Sequence, residues 1–295
     1  MTKTYGIPYT GSKSGIAEEI LSVLPNGKRF VDLFGGGFAM SHCCLLNFCG
    51  GLFPKFEQVL YNDHNPLLKP LIEKAIKGDF NYSKFKPEWI SREKFFAEKE
   101  KDGYIKWIWS FSNDGKTYLF SREIEEQKRQ LHNLVVFGEE NFFTKGINLV
   151  GDTVKERRLS WYKFCRGNKQ RSYLPELAQL ERLQKLEQLE RLQSLEQLQR
   201  QRKLELTCMD YQDYVYQDGD IVYCDIPYEL SSNKTCYGGG FNHKKFKQWA
   251  NSQPFPIFVS SYIDTRIIWQ KTKRCLMAGS KNIFRQECLY QYGGF

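Results

Sequence analysis

The strongest constraint on the fold lies between Arg29 and Asp63. Arg29-Phe30-Val31-Asp32-Leu33-Phe34 reads as a buried strand and runs into Gly35-Gly36-Gly37. Ala39 to Phe48 has a helical pattern, and Gln58-Val59-Leu60-Tyr61-Asn62-Asp63 is a second strand that ends on a carboxylate. Strand, glycine turn, helix, strand, acid is the order of a nucleotide-binding βαβ unit, whose ligand lies at the carboxyl ends of the strands. Glycines at such a turn let backbone come close to a ligand. A pyrophosphate loop would read G-x-G-x-x-G, which this one does not. The pattern therefore predicts a nucleoside-type cofactor with no phosphate site, its ribose hydroxyls donating to Asp63. A tight turn without a ligand would use the same glycines, so the motif gains weight only from its neighbours.

The α/β texture continues elsewhere. Gly15 to Leu24 has helical spacing and is ended by Pro25-Asn26-Gly27. Leu204 to Thr207, Asp220 to Asp225, Pro256 to Ser261 and Glu287 to Tyr292 read as strands. One of them leads into Asp225-Ile226-Pro227-Tyr228, residue types that suit an exocyclic aromatic amine. Such an amine is a poor nucleophile because its lone pair is delocalised into the ring. A carboxylate (Asp225) and a main-chain carbonyl can accept from its two N–H groups, localise the lone pair and stabilise the charge that develops on methyl transfer. An aromatic face (Tyr228) can stack on a base flipped from the duplex. Attack at a ring carbon would instead want a thiolate, typically in a Pro-Cys pair, and none occurs. The competing reading is a plain β-turn after a strand.

Two stretches break this texture. Residues 73–172 are rich in aromatics and Lys and read as an inserted, mostly helical lobe. There Trp107, Trp109 and Phe111 precede a turn signal at Ser112-Asn113-Asp114-Gly115-Lys116. Between Thr153 and Arg171 lie Lys155, Arg157, Arg158, Lys163, Arg166, Lys169 and Arg171 against Glu156, with Trp161, Tyr162 and Phe164 among them. Cations interleaved with aromatics can follow a phosphate backbone, although charge runs also serve as solvated faces. Residues 174–206 are a leucine-rich low-complexity helical repeat, with Leu at every third position from 174 to 198. Each step of three advances about 300° on an α-helix, so the stripe drifts around it and a heptad seam is disfavoured. The expectation is a helix with partners on several sides or partial exposure, carrying no site chemistry.

The net charge of +9 favours a polyanionic partner. No run approaches the roughly 18 apolar residues of a membrane span, and the N-terminus lacks the apolar core of a signal peptide, so a cytoplasmic protein is expected. The nine cysteines are odd in number and form no C-x-x-C pair, which supports neither a zinc site nor a disulfide framework.

With these residues in order, the chain resembles the Dam-like, or D12, class of DNA adenine-N6 methyltransferases. Tyr9-Thr10-Gly11-Ser12-Lys13 resembles the family's first block, Phe34 to Phe38 its F-x-G-x-G loop, Asp63 its ribose-binding acid, Asp210-Tyr211 its adenine-contacting pair and Asp225 to Tyr228 its D-P-P-Y tetrad. The resemblance covers about 1–70 and 200–295 well and the middle poorly. It implies a Rossmann-like S-adenosylmethionine-dependent methyltransferase sheet built from 1–72 and 200–295, with 73–172 as target-recognition domain. It also implies S-adenosyl-L-methionine as cofactor, double-stranded DNA as partner and a bacterial or phage-type setting. The cofactor site would be Tyr9, Lys13, Phe34, Gly35, Gly36, Gly37, Asp63, Asp210, Tyr211 and Asp225. The catalytic set would be Asp225, Ile226, Pro227 and Tyr228, and the DNA-binding set Asn113, Lys116, Arg157, Arg158, Lys163 and Arg166. Cytosine-N4 methylases use the same chemistry but usually carry Ser in place of Asp225; a non-catalytic DNA-binding relative is the other alternative. Two positions depart from the family pattern. Ile226 replaces its first proline. Phe38 stands where its second loop glycine falls, leaving Gly37 to take up the backbone demand or the cofactor to sit less closely.

Overall fold

The structure is a computed structural model that describes residues 4–81, 85–167, 181–201, 203–227, 240–261, 267–276 and 282–294. The chain forms two compact units, one from 1–6, 11–69 and 195–295, the other from 7–10 and 70–194.

The first unit is a mixed α/β structure around a seven-stranded sheet of order β3-β2-β1-β4-β5-β7-β6. Its strands are β1 (Arg29–Asp32), β2 (Gln58–Asn62), β3 (Leu204–Thr207), β4 (Asp220–Cys224), β5 (Ile257–Ser261), β6 (Ile267–Leu276) and β7 (Asn282–Tyr292). The pairings β3–β2, β2–β1, β1–β4 and β4–β5 are parallel, whereas β7 runs antiparallel to both β5 and β6. The order reverses between β1 and β4, the switch point at which open α/β sheets bind ligands.

Helices cover both faces, and strand alternation shows how. Val31, Leu33, Val222 and Cys224 point to one face and form a core with Phe246 and Ala250 of a helix at His243–Ser252. Asp32 points to the other, where it accepts from the N–H and Oγ of Ser41 in α2 (Ala39–Asn47). α2 packs in turn on α1 (Ala17–Val23). β1 is buried throughout, as its apolar run requires. β6 was not legible as a strand: Gln270-Lys271-Thr272-Lys273-Arg274 is polar because β6 is an edge of the sheet, where charge deters further pairing.

At the amino ends of β1 and β4 a buried ion pair fixes their register. Arg29 Nε and Nη2 donate to the two oxygens of Asp220, each at 2.8 Å, and the Tyr214 hydroxyl and Gln217 N–H donate to the same carboxylate. Burial and its hydrogen bond to Asp220 raise the Tyr214 hydroxyl well above its ordinary range.

The second unit is helical. It contains α4 (Arg92–Glu98), α5 (Gly103–Ile108), α6 (Arg122–Phe137), α7 (Val154–Gly167) and α8 (Glu181–Arg191), following α3 (Leu68–Lys77), which leads into it. Its aromatics make a core of their own. Trp89 stacks on Phe120 at 5.4 Å and meets Trp109 edge-on at 5.2 Å, while the Tyr118 hydroxyl donates to the Ile90 carbonyl.

The leucine repeat is helical where it is described; residues 174–180 lie outside the described residues. α8 gives way to a 3₁₀ turn at Leu192–Leu195 and then to a short helix at Glu196–Arg200. Leu183, Leu186, Leu189, Leu192 and Leu195 are all buried. The 3₁₀ turn repeats every three residues, so Leu192 and Leu195 eclipse each other and the drift of the stripe is halted there. Leu183, Leu186 and Leu189 keep the same spacing within the α-helix, so the spacing tracks burial and not one helix type. No helix among the described residues is long and apolar enough to cross a membrane.

Asp220→Ala should cost about 3–5 kcal/mol, because it leaves the buried Arg29 guanidinium with the exposed Glu205 carboxylate, at 3.7 Å, as its remaining ion-pair partner among the described residues. Asp218→Ala, which removes an exposed partner of Lys28, should leave the denaturation midpoint unchanged. Urea unfolding of the two variants checks this, and equal midpoints would contradict it.

Candidate functional site

The glycine loop is shaped from below by β2. A Cβ on Gly35 would lie 2.3 Å from the Tyr61 ring, so only glycine fits there. The Tyr61 hydroxyl donates to the Gly36 carbonyl at 2.7 Å, and the Gly35 N–H donates to the Asn62 carbonyl at 2.8 Å. Gly36 takes φ 45° and Phe38 takes φ 67°. Phe38 itself thus adopts the left-handed conformation, and Gly37 does not absorb it. The cost is about 1–2 kcal/mol for a side chain with a Cβ. It is offset by full burial of the ring, edge-on to Tyr61 at 5.3 Å and stacked on His42 at 6.1 Å.

Asn62 organises the neighbouring strand ends. Its Nδ2 donates to the carbonyls of Leu33 and Met209, each at 3.1 Å. Its Oδ1 accepts from Thr207 Oγ1 at 2.9 Å and the Met209 N–H at 3.0 Å. All four positions of the amide are used. Asp63, the next residue, accepts from the Gly36 and Asn65 N–H groups, each at 2.8 Å. Burial raises its carboxyl above the usual range, and these two bonds oppose the rise. Each of its oxygens retains a second lone pair for a ligand hydroxyl.

Asp210 and Tyr211 follow β3. The Asp210 carboxylate accepts from the Gln212 N–H at 2.9 Å, which shapes a 3₁₀ turn at Tyr211–Asp213. The Tyr211 ring lies 5.4 Å from Phe34 and 4.9 Å from Trp249, so an aromatic wall joins the glycine loop to the end of β3. Asp225 follows β4, directly across the switch point from Phe34. Its two oxygens accept from the Lys13 ammonium at 2.7 Å each, and Glu287 of β7 stands 3.7 Å from the same nitrogen. Ile226 is buried in the sheet core with Val31, Leu33 and Val259. Packing there supplies the anchorage that a proline ring would give by stiffness. Pro227 is half-buried, and Tyr228 lies outside the described residues.

Lys13, Phe34 to Gly37, Asp63, Asp210, Tyr211, Asp225, Ile226 and Pro227 therefore all belong to the sheet unit, most of them at the carboxyl ends of β1, β2, β3 and β4. Tyr9 belongs to the helical unit, where its ring meets Trp107 edge-on at 4.9 Å. The structure adds Asp32, Asn62 and Glu287, which the motifs did not single out. Asp32 and Asn62 stand inside strands that read as plain hydrophobic runs. Glu287 has no motif around it at all.

In the helical unit the turn signal at 112–116 is a tight turn. Ser112 and Asn113 take φ 50° and 58°, and a Cβ on Gly115 would lie 2.6 Å from the Trp107 ring. Thr10 Oγ1 donates to the carbonyls of Ser112 and Asn113. Asn113 is half-buried, and so is Lys116. Two of the expected DNA cations need correction. Arg157 is buried and donates to the carbonyls of Val135, Val136, Gly151 and Asp152, closing the carboxyl end of α6. Arg158 is buried too; it pairs with Glu187 of α8 and lies over the Tyr162 ring. Both hold helices together and are not presented to a phosphate. Lys155 and Lys163 on the same helix are exposed; Arg166 is in the helix, with its side chain outside the described residues.

Asp32 has the clearest electrostatic signature. Its carboxyl is pushed up to about 7, first by burial, against the hydrogen bonds from Ser41, and further by the charges of Asp225 and Asp63. Its Oδ1 is buried with no hydrogen-bond partner among the described residues. In the unfolded chain this group ionises near 3.8. Between those values the folded protein holds a proton that the unfolded chain has lost, so stability falls as pH rises through that window. Asp32→Asn keeps an acceptor for Ser41 and cannot ionise. Its stability relative to the parent should therefore climb from pH 4 to pH 7 in denaturant titrations; a constant difference would refute the assignment.

No curated protein matches the chain. Among solved structures it is similar to SMU.472, described as a putative methyltransferase complexed with SAH, at 15% identity and a TM-score of 0.21. That match covers 58% of this chain and 45% of the other, so the chain spans less than half of that protein's length. Residues 9–252 match the family described as D12 class N6 adenine-specific DNA methyltransferase, and with most of its length inside that match the chain belongs to this family.

Proposed function

We propose that the protein transfers a methyl group from S-adenosyl-L-methionine to N6 of an adenine in double-stranded DNA. The observation that carries this reading is the convergence of Asp32, Asp63 and Asp225 at the ends of β1, β2 and β4, close enough that the charges of the other two raise Asp32. Carboxylates that converge beside a glycine loop and an aromatic wall favour a cationic nucleoside. S-adenosyl-L-methionine fits that donor set, with ribose hydroxyls toward Asp63, the adenine toward Phe34 and Tyr211, and a positive group near the unpartnered Asp32 oxygen. When bound, it supplies a methyl group on a sulfonium whose C–S bond breaks with both electrons going to sulfur as the amine lone pair takes the methyl.

The chain's own residues act on the amine. Asp225 and the Ile226 carbonyl accept from its two N–H groups, which turns its lone pair toward the methyl and stabilises the positive charge that grows on nitrogen. The nitrogen then sheds a proton to water. Tyr228 is assigned to stack on the flipped base. On the DNA side, the exposed Lys155 and Lys163 of α7 take the role of phosphate partners, with Asn113 and Lys116 at the strained turn near base edges or phosphates.

The test is tritiated methyl transfer to unmethylated duplex DNA with nucleoside analysis of the product. Labelled N6-methyladenine should form, and Asp225→Ala should lower its rate by about 10²–10³. Label in cytosine, or a rate indifferent to Asp225, would overturn the reading. DNA affinity should fall with salt, and Lys155→Glu/Lys163→Glu should flatten that slope by about 0.9 for each phosphate no longer neutralised, while Arg157→Lys should not.

A further inference from the structure

The Lys13 ammonium is held between two carboxylates at unequal distances. It sits on Asp225 at 2.7 Å from both oxygens and 3.7 Å from Glu287. Lys13 and Glu287 are buried, 6% and 3% exposed, and Asp225 is largely so. Glu287 reaches this position through topology. β7 is antiparallel to β5, with Cys288 opposite Ser261, so the early residues of β7 lie at the end of the sheet where the parallel strands finish. Tyr223 senses the grouping: after burial, the charges of Asp225, Asp32 and Glu287 all raise its hydroxyl.

This arrangement conflicts with the role assigned to Asp225 unless the ammonium can move. A cation bridging both oxygens draws their lone-pair density to itself. It also stands close to a nitrogen that must become positive, and like charges at such range are unfavourable. Removing the lysine to solvent would strand a buried cation on the way.

We propose that Glu287 is a positioning residue for methyl transfer: it is a second seat for the Lys13 ammonium, which shifts from Asp225 toward Glu287 as the target amine enters. The shift is about 1 Å, the difference between 3.7 Å and the 2.7 Å of a charge-assisted hydrogen bond. No bond to hydrogen is broken. Lys13 remains an ammonium, and Asp225 exchanges it for the N–H groups of the amine.

The proposal rests on the methyltransferase reading for its consequence, not for the second seat itself, and two measurements separate these. The first follows the Lys13 ammonium directly by proton–nitrogen NMR, in which an ammonium held in a buried ion pair gives a cross-peak. In Asp225→Asn the cross-peak should persist, because Glu287 takes the cation; in Asp225→Asn/Glu287→Gln it should weaken markedly relative to Asp225→Asn. Its loss in Asp225→Asn alone would overturn the proposal whether or not the protein methylates anything. The second is single-turnover transfer from tritiated S-adenosyl-L-methionine to unmethylated duplex DNA. Glu287→Gln should lower the rate constant about tenfold or more with KM for DNA and donor unchanged, and Glu287→Asp should recover part of it. In a Lys13→Met background the Glu287→Gln effect should disappear, since Glu287 acts through Lys13. An equal loss in both backgrounds, or no loss in either, would also overturn it. A parent chain that transfers no label would instead count against the methyltransferase reading.

Discussion

A single buried amide holds the carboxyl ends of the sheet together. Asn62 at the end of β2 binds the Leu33 carbonyl after β1 and both backbone groups of Met209 after β3. Those are the points at which the strands hand over to the glycine loop and to Asp210-Tyr211. A hydrogen bond contributes about 1 kcal/mol net, but an unmet buried partner costs more than that. An apolar residue at 62 would leave several such partners unmet. The amide therefore specifies one arrangement of three chain segments, and Asp63 can tie the glycine loop to β2 only because Asn62 has already fixed where β2 ends.

From this frame the site's electrostatics follow. Parallel strands that stop at one edge bring their terminal residues together, and here those residues are acids: Asp32, Asp63 and Asp225. Burial raises Asp32, the charges of Asp225 and Asp63 raise it further, and its Oδ1 has no hydrogen-bond partner among the described residues. Lys13 enters from a loop far away in sequence and binds one member of the set. The result is a row of strand ends rich in carboxylates, with one ammonium seated among them.

Much of this was legible in the sequence, and the limits have physical causes. Six strands show as apolar or alternating runs, five of them because they pair on both sides within the sheet. β6 does not, because an edge strand rich in Lys and Arg carries no burial pattern. The tetrad and the glycine loop stand out because the chemistry proposed for them needs particular residues side by side. Glu287 needs only to arrive at the right edge, and that depends on β7 running antiparallel, which no local window reveals. Arg157 shows the opposite failure. A cation that closes the end of a helix looks, in sequence, the same as one that waits for a phosphate. Phe38 is a third kind: its left-handed backbone is tolerated because the ring is buried, a condition visible only in three dimensions.

Ile226 gives the loop after β4 a different thermal character from a loop stiffened by proline. A pyrrolidine ring restricts the chain covalently, and that restriction hardly changes with temperature. An isoleucine seated among Val31, Leu33 and Val259 restrains the same backbone only while apolar association is favourable. That association weakens on cooling. The backbone at Ile226 is therefore held by the solvent's aversion to a side chain, and that hold loosens in the cold. The order of this loop is thereby coupled to temperature through one aliphatic side chain.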